Sequence, residues 1–197
     1  MSFEKFIELI SEAIILPVDN IDTDQIIPAR FLKTTTRENF GKNLFYDWRY
    51  DKDGEPIESF ILNNSDNKGR ILVAGNNFGC GSSREHAAWA LYDYGFRAVI
   101  STFFADIFKN NALNNGLLPI QVSRAFFQKI VDNSHSLLDI NLPMQSVTII
   151  STGDSELFDI NTYKKDCLIN GFDDIDFLLS NIGEIEKFEQ IKSTSRL

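Results

Sequence analysis

Apolar positions follow two rhythms along this chain. Ile71 to Ala74 is an unbroken apolar run, too short for a helix and closed by Gly75 and Asn76, which predicts a buried strand. Beyond it, Ala87, Ala88, Leu91 and Tyr92 recur at helical spacing until Gly95 stops the pattern. Val99 to Ser101 predicts a second buried strand, Phe104 to Asn111 a helix, and Leu117 to Val122, after Gly116, a third strand. Ser123 is placed to cap a helix whose inner face is Phe126, Phe127, Ile130 and Val131. Leu138, Ile140 and Leu142, then Val147 and Ile149, alternate as half-buried strands do. The end of the chain reads as helical, with Gly171 and Gly183 as stops. Three stretches carry less pattern. Residues 3–16 are ambiguous, since Phe3, Phe6, Ile7 and Ile10 also fit a helix. From Asp19 to Arg37 a loop and short strand are expected, with Pro28 preventing regular ladder pairing. Asp51 to Asn67, rich in Asp, Asn and Gly, is expected to be a surface excursion.

The chemistry concentrates between the first buried strand and the helix after it, in Phe78 to His86, FGCGSSREH. A strand, a glycine-rich loop and a helix follow one another there. Gly79 and Gly81 let backbone amides approach a ligand, and the first amides of a helix have no partner inside it, so a carboxylate or phosphate is a suitable guest. Two familiar anion loops fit badly. The dinucleotide fingerprint needs a small residue where Arg84 stands, and the Walker loop needs a lysine before its hydroxyl residue. A Gly-x-Ser-x-Gly elbow is also missing, because Arg84 and Glu85 stand two residues after Ser82 and Ser83. Ser82 with Glu85 three residues on makes a capping box, so the spacing leaves capping and catalysis equally open.

Longer stretches separate the two. FGCGSSREHAAWAL, followed by RAVISTFFADIFKNNALNNGLLPI from Arg97 to Ile120, closely resembles the small subunits of isopropylmalate dehydratase, the swivel domain of the aconitase superfamily. VDNIDTDQIIPARFL from Val18 to Leu32 and FGKNLFYDWR from Phe40 to Arg49 agree, and the likeness covers about residues 16–180. The resemblance implies an α/β fold. It would be a single swivelling β/β/α domain of the aconitase C-terminal type over residues 1–197, with a mixed sheet or barrel-like core flanked by helices. It also implies that residues 3–16 are an extended segment leading to Pro17.

Composition fits that picture and narrows the partners. The chain has 197 residues, 43% of them hydrophobic and 12% aromatic, enough to bury a sizeable core without splitting. A formal charge of −9 argues against a broad phosphate-binding surface, so nucleic acid is not an expected partner. Glu4, Glu8 and Glu12 interrupt the amino terminus, which therefore reads as neither signal nor transit peptide, and the expected compartment is the cytoplasm, with no membrane association. Cys80 and Cys167 make no disulfide framework. Removing water across an unactivated carbon bond needs a strong electrophile, which the resembled superfamily supplies as an iron–sulfur cluster held by about three or four thiolates. Two cysteines, with only His86 and His135 beside them, fall short, so no metal site is expected on this chain. The resemblance places a [4Fe-4S] cluster on a large subunit, with which this chain would form a heterodimer or heterotetramer.

The resemblance also assigns roles. Ser82 matches the family's catalytic base. A serine hydroxyl is a poor base, and each pKa unit of depression needs about 1.4 kcal/mol of preferential alkoxide stabilisation. Helix amides, Arg84 and the partner's charges would share that work. Ser83 is the rival for the role, and Gly81 gives the backbone its close approach. Arg84 is expected to clamp a carboxylate, its alternative being an ion pair with Glu85 or Asp93. A second clamp is expected from Arg30 or Arg37, and the choice stays open. The loop Phe31 to Thr36 is expected to reach the substrate's variable group; Phe31 and Leu32 suit an isopropyl group and equally an ordinary core. Asp22 and Asp24 fit turn bonding better than metal binding. Cys80 and His86 are weak candidates for a thiol nucleophile, and Asp47, Trp48 and Arg49 read as fold or interface residues. Three functions follow. The leading one is a hydro-lyase interconverting 2-isopropylmalate and 3-isopropylmalate in leucine biosynthesis. The second is the same chemistry on methylmalate or homocitrate, and the third a noncatalytic module docking on an iron–sulfur protein. A partner surface with exposed aromatics is expected around the Ser82 loop.

Overall fold

A computed structural model describes residues 3–33 and 39–194, with side chains through Glu189. Seven strands form one mixed sheet: β1 (Glu8–Leu16), β2 (Ile71–Ala74), β3 (Ala98–Ser101), β4 (Leu118–Gln121), β5 (Leu137–Asn141), β6 (Ser146–Ile149) and β7 (Ser155–Leu157), in the order β4-β3-β2-β1-β5-β6-β7. Strand β1 joins the two halves. Its carboxyl part, Ala13 to Leu16, pairs parallel with β2, and its amino part, Glu8 to Glu12, pairs antiparallel with β5. Residues 3–16 thus contain the expected extended segment. Of the two expected cores, the mixed sheet is seen, with β4 and β7 as its ends.

The two halves explain the two rhythms. Parallel β2 and β3 are buried at all four positions each, so both faces need apolar side chains. Leu72 and Ala74 of β2 face one core with Phe40, Phe45, Phe78 and Phe108; Ile71 and Val73 face a second with Phe126, Ile130, Ile140 and Ile149. Antiparallel β5 and β6 bury only Leu138, Ile140, Val147 and Ile149, hence the alternation.

Eight α-helices are described: α1 (Thr23–Ile26), α2 (Tyr46–Arg49), α3 (Glu85–Tyr94), α4 (Asp106–Asn114), α5 (Arg124–Asp132), α6 (Thr162–Asn170), α7 (Asp174–Ser180) and α8 (Ile182–Thr194). Ser123 caps α5 as expected, its hydroxyl accepting from the Phe126 amide at 3.1 Å. Gly171 ends α6 at φ 71°, in the left-handed region that favours glycine. Other expectations fail. In its described part Asp19 to Arg37 keeps only a single parallel bridge, Asp22 with Cys80, in place of a short strand; Asp22 caps α1 through a capping box with Gln25, and a 3-10 turn follows at Ala29–Phe31. Gly183 is no stop, since it lies in the first turn of α8. The excursion from Asp51 to Asn67 is anchored by Leu62, which is buried, and by Asn63, whose amide donates to the carbonyls of Arg49 and Ile57.

Candidate active site

The segments leaving β1, β2 and β3 at their carboxyl ends lie side by side, in the kind of crevice where open α/β sheets hold ligands. The Gly75 amide donates to the Val18 carbonyl at 3.1 Å, Asn20 to Asn76 at 2.8 Å, Gly79 to Ile21 at 2.8 Å, and Thr23 to Cys80 at 2.9 Å. On the other flank the Phe78 amide donates to Phe103 at 3.0 Å and Ala105 to Phe78 at 3.1 Å. The glycine-rich loop is therefore sewn between two neighbours over its length. Gly79 (φ 74°) can be nothing else, because a Cβ there would lie 2.3 Å from Cγ of Phe108. Gly81 (φ 88°) turns the chain outward, leaving Ser82 and Ser83 exposed.

Ser82 is not a helix cap. Helix α3 begins at Glu85 with Arg84 at the N-cap position and no side-chain cap bond, so Ser82 stands too far ahead of the first turn for its hydroxyl to serve the N2 and N3 amides. The capping box expected with Glu85 does not form. Neither the Ser82 nor the Ser83 hydroxyl has a hydrogen-bond partner among the described residues.

Arg84 points back across the loop. Its Nη2 donates to Oδ2 of Asp24 at 2.6 Å, Nη1 pairs with Oδ1 of the same carboxylate, and Nη1 also donates to the Ile27 carbonyl at 3.5 Å. Its side chain is 12% exposed, against 56% for Asp24. The ion-pair partners considered from sequence are engaged elsewhere: Asp93 accepts from the Gly41 amide and Glu85 from the Asn115 side chain. The Arg84 hydrogen bond holds the Asp24 carboxyl below its ordinary range, against a smaller opposing effect of burial. Guanidinium has five N–H donors, of which Asp24 and Ile27 engage those on Nη1 and one on Nη2. Among the described residues Nε–H and the second Nη2 hydrogen, the side-on fork of the guanidinium, have no partner. That fork matches a second carboxylate.

The other candidates lie elsewhere. Arg30 is held by Asp47 of α2, bonding both carboxylate oxygens, and lies over the rings of Phe31 at 4.7 Å and Tyr46 at 5.2 Å. This hydrogen bond also holds Asp47 below the usual carboxylate range. Arg30, Tyr46, Asp47 and Tyr50 line an open cavity of about 570 Å³, to which Ser82, Ser83 and Arg84 do not contribute. Phe31 and Leu32 are half-buried against the first core, with Phe31 5.0 Å from the Tyr46 ring. Arg37 and Thr36 lie outside the described residues. Trp48 stacks on Phe45 at 5.4 Å, which suits its reading as a fold residue.

His86 packs between Phe40 at 5.5 Å and Trp89 at 4.4 Å. Cys80 donates to the Asn20 carbonyl at 3.5 Å, and burial, aided by the Asp22 charge, pushes its thiol above the ordinary range. A thiol held protonated is a poor nucleophile. Cys80→Ala is therefore expected to keep turnover within about threefold of wild type, a small geometric loss of the size a minor loop shift causes; a loss of a hundredfold in a steady-state assay would make the thiol a participant.

A cluster does not fit these residues. Cys80 sits on the loop and Cys167 is buried in α6, and among the described residues no group of three or more His, Cys, Asp or Glu side chains could hold a metal ion. Three or four thiolates would be needed. No described helix is long and apolar enough to cross a membrane.

Thr23 and Asp24 are the residues that sequence reasoning passed over in this role. Their segment was legible as a motif, but nothing local shows that Asp24 meets an arginine 60 residues away.

A mixed sheet whose parallel half carries a Gly-x-Gly-Ser-Ser-Arg loop at its carboxyl end defines the class: residues 4–125 match the Aconitase C-terminal domain. Within that class, a 3-isopropylmalate dehydratase small subunit from Christiangramia forsetii is 60% identical over 95% of this chain and 93% of its own length. Another from Cytophaga hutchinsonii is 58% identical over 95% of each chain. The crystal structure of 3-isopropylmalate dehydratase from Methanocaldococcus jannaschii superposes with a TM-score of 0.64 at 28% identity, covering 95% of this chain and 99% of that one. The chain belongs to the family of 3-isopropylmalate dehydratase small subunits.

Proposed function

We propose that this chain is the small subunit of a 3-isopropylmalate dehydratase, a hydro-lyase that interconverts 2-isopropylmalate and 3-isopropylmalate by dehydration and rehydration in leucine biosynthesis. The observation that carries the proposal is the exposed Ser82 beside Arg84, on the glycine-rich loop of a chain 60% identical to a protein of that name. Ser82 is the proposed base, taking the proton from the carbon beside a substrate carboxylate. Arg84 holds that carboxylate through its side-on fork while Asp24 fixes the guanidinium plane. Ser83 and the Gly81 backbone complete the near side of the pocket. Arg30 or Arg37 is the proposed second clamp, with Phe31 and Leu32 beside the isopropyl group. For Arg30 this requires release from Asp47.

The electrophile for the departing hydroxyl belongs, in this proposal, to a [4Fe-4S] cluster on a large subunit, because the donors here do not fit one. The relatives' shared name favours isopropylmalate over methylmalate or homocitrate, and an enzyme over a docking module. Residues 1–197 act as one swivel unit in a cytoplasmic heteromer.

The test is anaerobic turnover of 2-isopropylmalate, followed by ultraviolet absorbance of the alkene product, with and without a cluster-bearing large subunit. Activity only with both supports the proposal. A stable, inactive complex with an intact cluster would sink it.

The proposed face for that partner carries exposed apolar side chains on the segments beside the Ser82 loop. Val18 follows β1, Phe103 follows β3, and Ile107 lies in the first turn of α4, at 42%, 46% and 52% exposure. Phe103 is also the residue whose carbonyl accepts from Phe78. Phe103→Asp is expected to weaken binding to the large subunit by at least about tenfold, the effect of removing a central apolar anchor, with the melting temperature of the free chain unchanged. Calorimetric titration at wild-type affinity would move the interface elsewhere.

A further inference from the structure

Thr23 opens α1, is 2% exposed, and is one of few buried polar residues outside the sheet. It makes two bonds to the glycine-rich loop. Its amide donates to the Cys80 carbonyl at 2.9 Å, and its hydroxyl donates to the carbonyl of Ser82 itself at 2.9 Å. The backbone-to-backbone ties between these segments stop at Cys80, and beyond the loop's turn the next tie is the side chain of Arg84 to Asp24 and Ile27. Past Gly81, which turns the chain at φ 88° with only Thr23 and Asp22 within 4 Å of where a Cβ would be, the Thr23 hydroxyl is the bond that holds Ser82.

We infer that Thr23 is a positioning residue for Ser82: by fixing the peptide plane that follows Ser82, its hydroxyl sets the direction of the Ser82 side chain toward the substrate. The Ser82 side chain has no bond of its own among the described residues, so its aim depends on its backbone. The role is one of aim, not of charge or contact, since Thr23 carries no charge and is only 2% exposed. Ser82 is an exposed residue, so its carbonyl can turn to water when its donor is removed, and losing the bond costs geometry before it costs the fold. Thr23 sits beside Asp24, so α1 presents the two side chains that hold Ser82 and Arg84 in consecutive positions. This inference rests on Ser82 being the base.

The experiment uses the assembled two-subunit enzyme with 2-isopropylmalate. Thr23→Val keeps the shape and removes the donor; Thr23→Ser keeps the donor and removes a methyl group. The expected result is a kcat at least about tenfold lower for Thr23→Val, as misplacement of a reacting group produces, with KM within about twofold and kcat recovered in Thr23→Ser. A purely structural threonine predicts otherwise: a lower melting temperature with unchanged kcat per folded enzyme. Wild-type kcat in Thr23→Val, with Ser82→Ala inactive, would overturn the inference, and so would equal slowing in Thr23→Val and Thr23→Ser. Full turnover in Ser82→Ala would overturn the base assignment and this role with it.

Discussion

Ser82→Ala is expected to lower kcat by about 10²–10⁴-fold, the range for removing a placed general base, while leaving the fold and the complex with the large subunit intact. The structural grounds are specific. Ser82 is exposed, caps nothing, and gives up no side-chain bond to any described residue when truncated, so alanine removes chemistry without removing support. Its carbonyl, the atom Thr23 holds, survives the substitution. Ser83→Ala is the internal control, with the same exposure and chemistry one residue on. Anaerobic turnover of both variants, with complex formation followed by size-exclusion chromatography, checks the claim. If Ser83→Ala were the inactive variant and Ser82→Ala the active one, the base would be reassigned. If neither lost activity, the loop would be a docking element.

The parts of this fold that could be read in advance are those where one local rule dominates. β2 announced itself because a strand buried on both faces has no polar position to spend, and β5 and β6 because one wet face imposes period two. β7 was illegible: Ser155–Leu157 is a short edge strand, and Leu157 is 74% exposed, so it carries neither signal. Gly183 misled because a glycine in the first turn of a helix looks, in sequence, like a glycine after its last. The site divides along the same line. The Ser82 loop was visible as a motif, but its helix begins two residues later than a capping box on Ser82 requires. Pairings that span the fold, Arg84 with Asp24 and Arg30 with Asp47, have no local signature. Proximity there is created by the sheet, which sets the segment after β1 against the segment after β2.

Arg84→Lys tests how far that proximity serves catalysis. A guanidinium can pair with Asp24 end-on and still offer a fork to a substrate carboxylate; an ammonium is one point charge and must choose. In Arg84→Lys, Asp24 is preorganised, nearby and already ionised, so it is expected to retain the lysine, and kcat/KM should fall about 10²-fold, in the range for breaking a desolvated charge pair. Titration should show the same change from the protein's side. The folded Asp24 carboxyl lies below its unfolded value because Arg84 bonds its charged form. A depressed acid contributes stability that is present above its unfolded pKa, about 4 for aspartate, and lost as pH falls through the folded value. Arg84→Gln removes the cation, so Asp24 should return towards its ordinary range, and the decline of the melting temperature between neutral pH and pH 3 should be shallower than in wild type. The effect is small, because Asp24 is more than half exposed and solvent screens the pair. The kinetic effect is large, because it is exerted on the bound substrate. A melting profile that changes while kcat/KM stays at the wild-type value would leave Arg84 as a structural partner of Asp24 and shift the carboxylate clamp to the segment that carries Arg30 and Arg37.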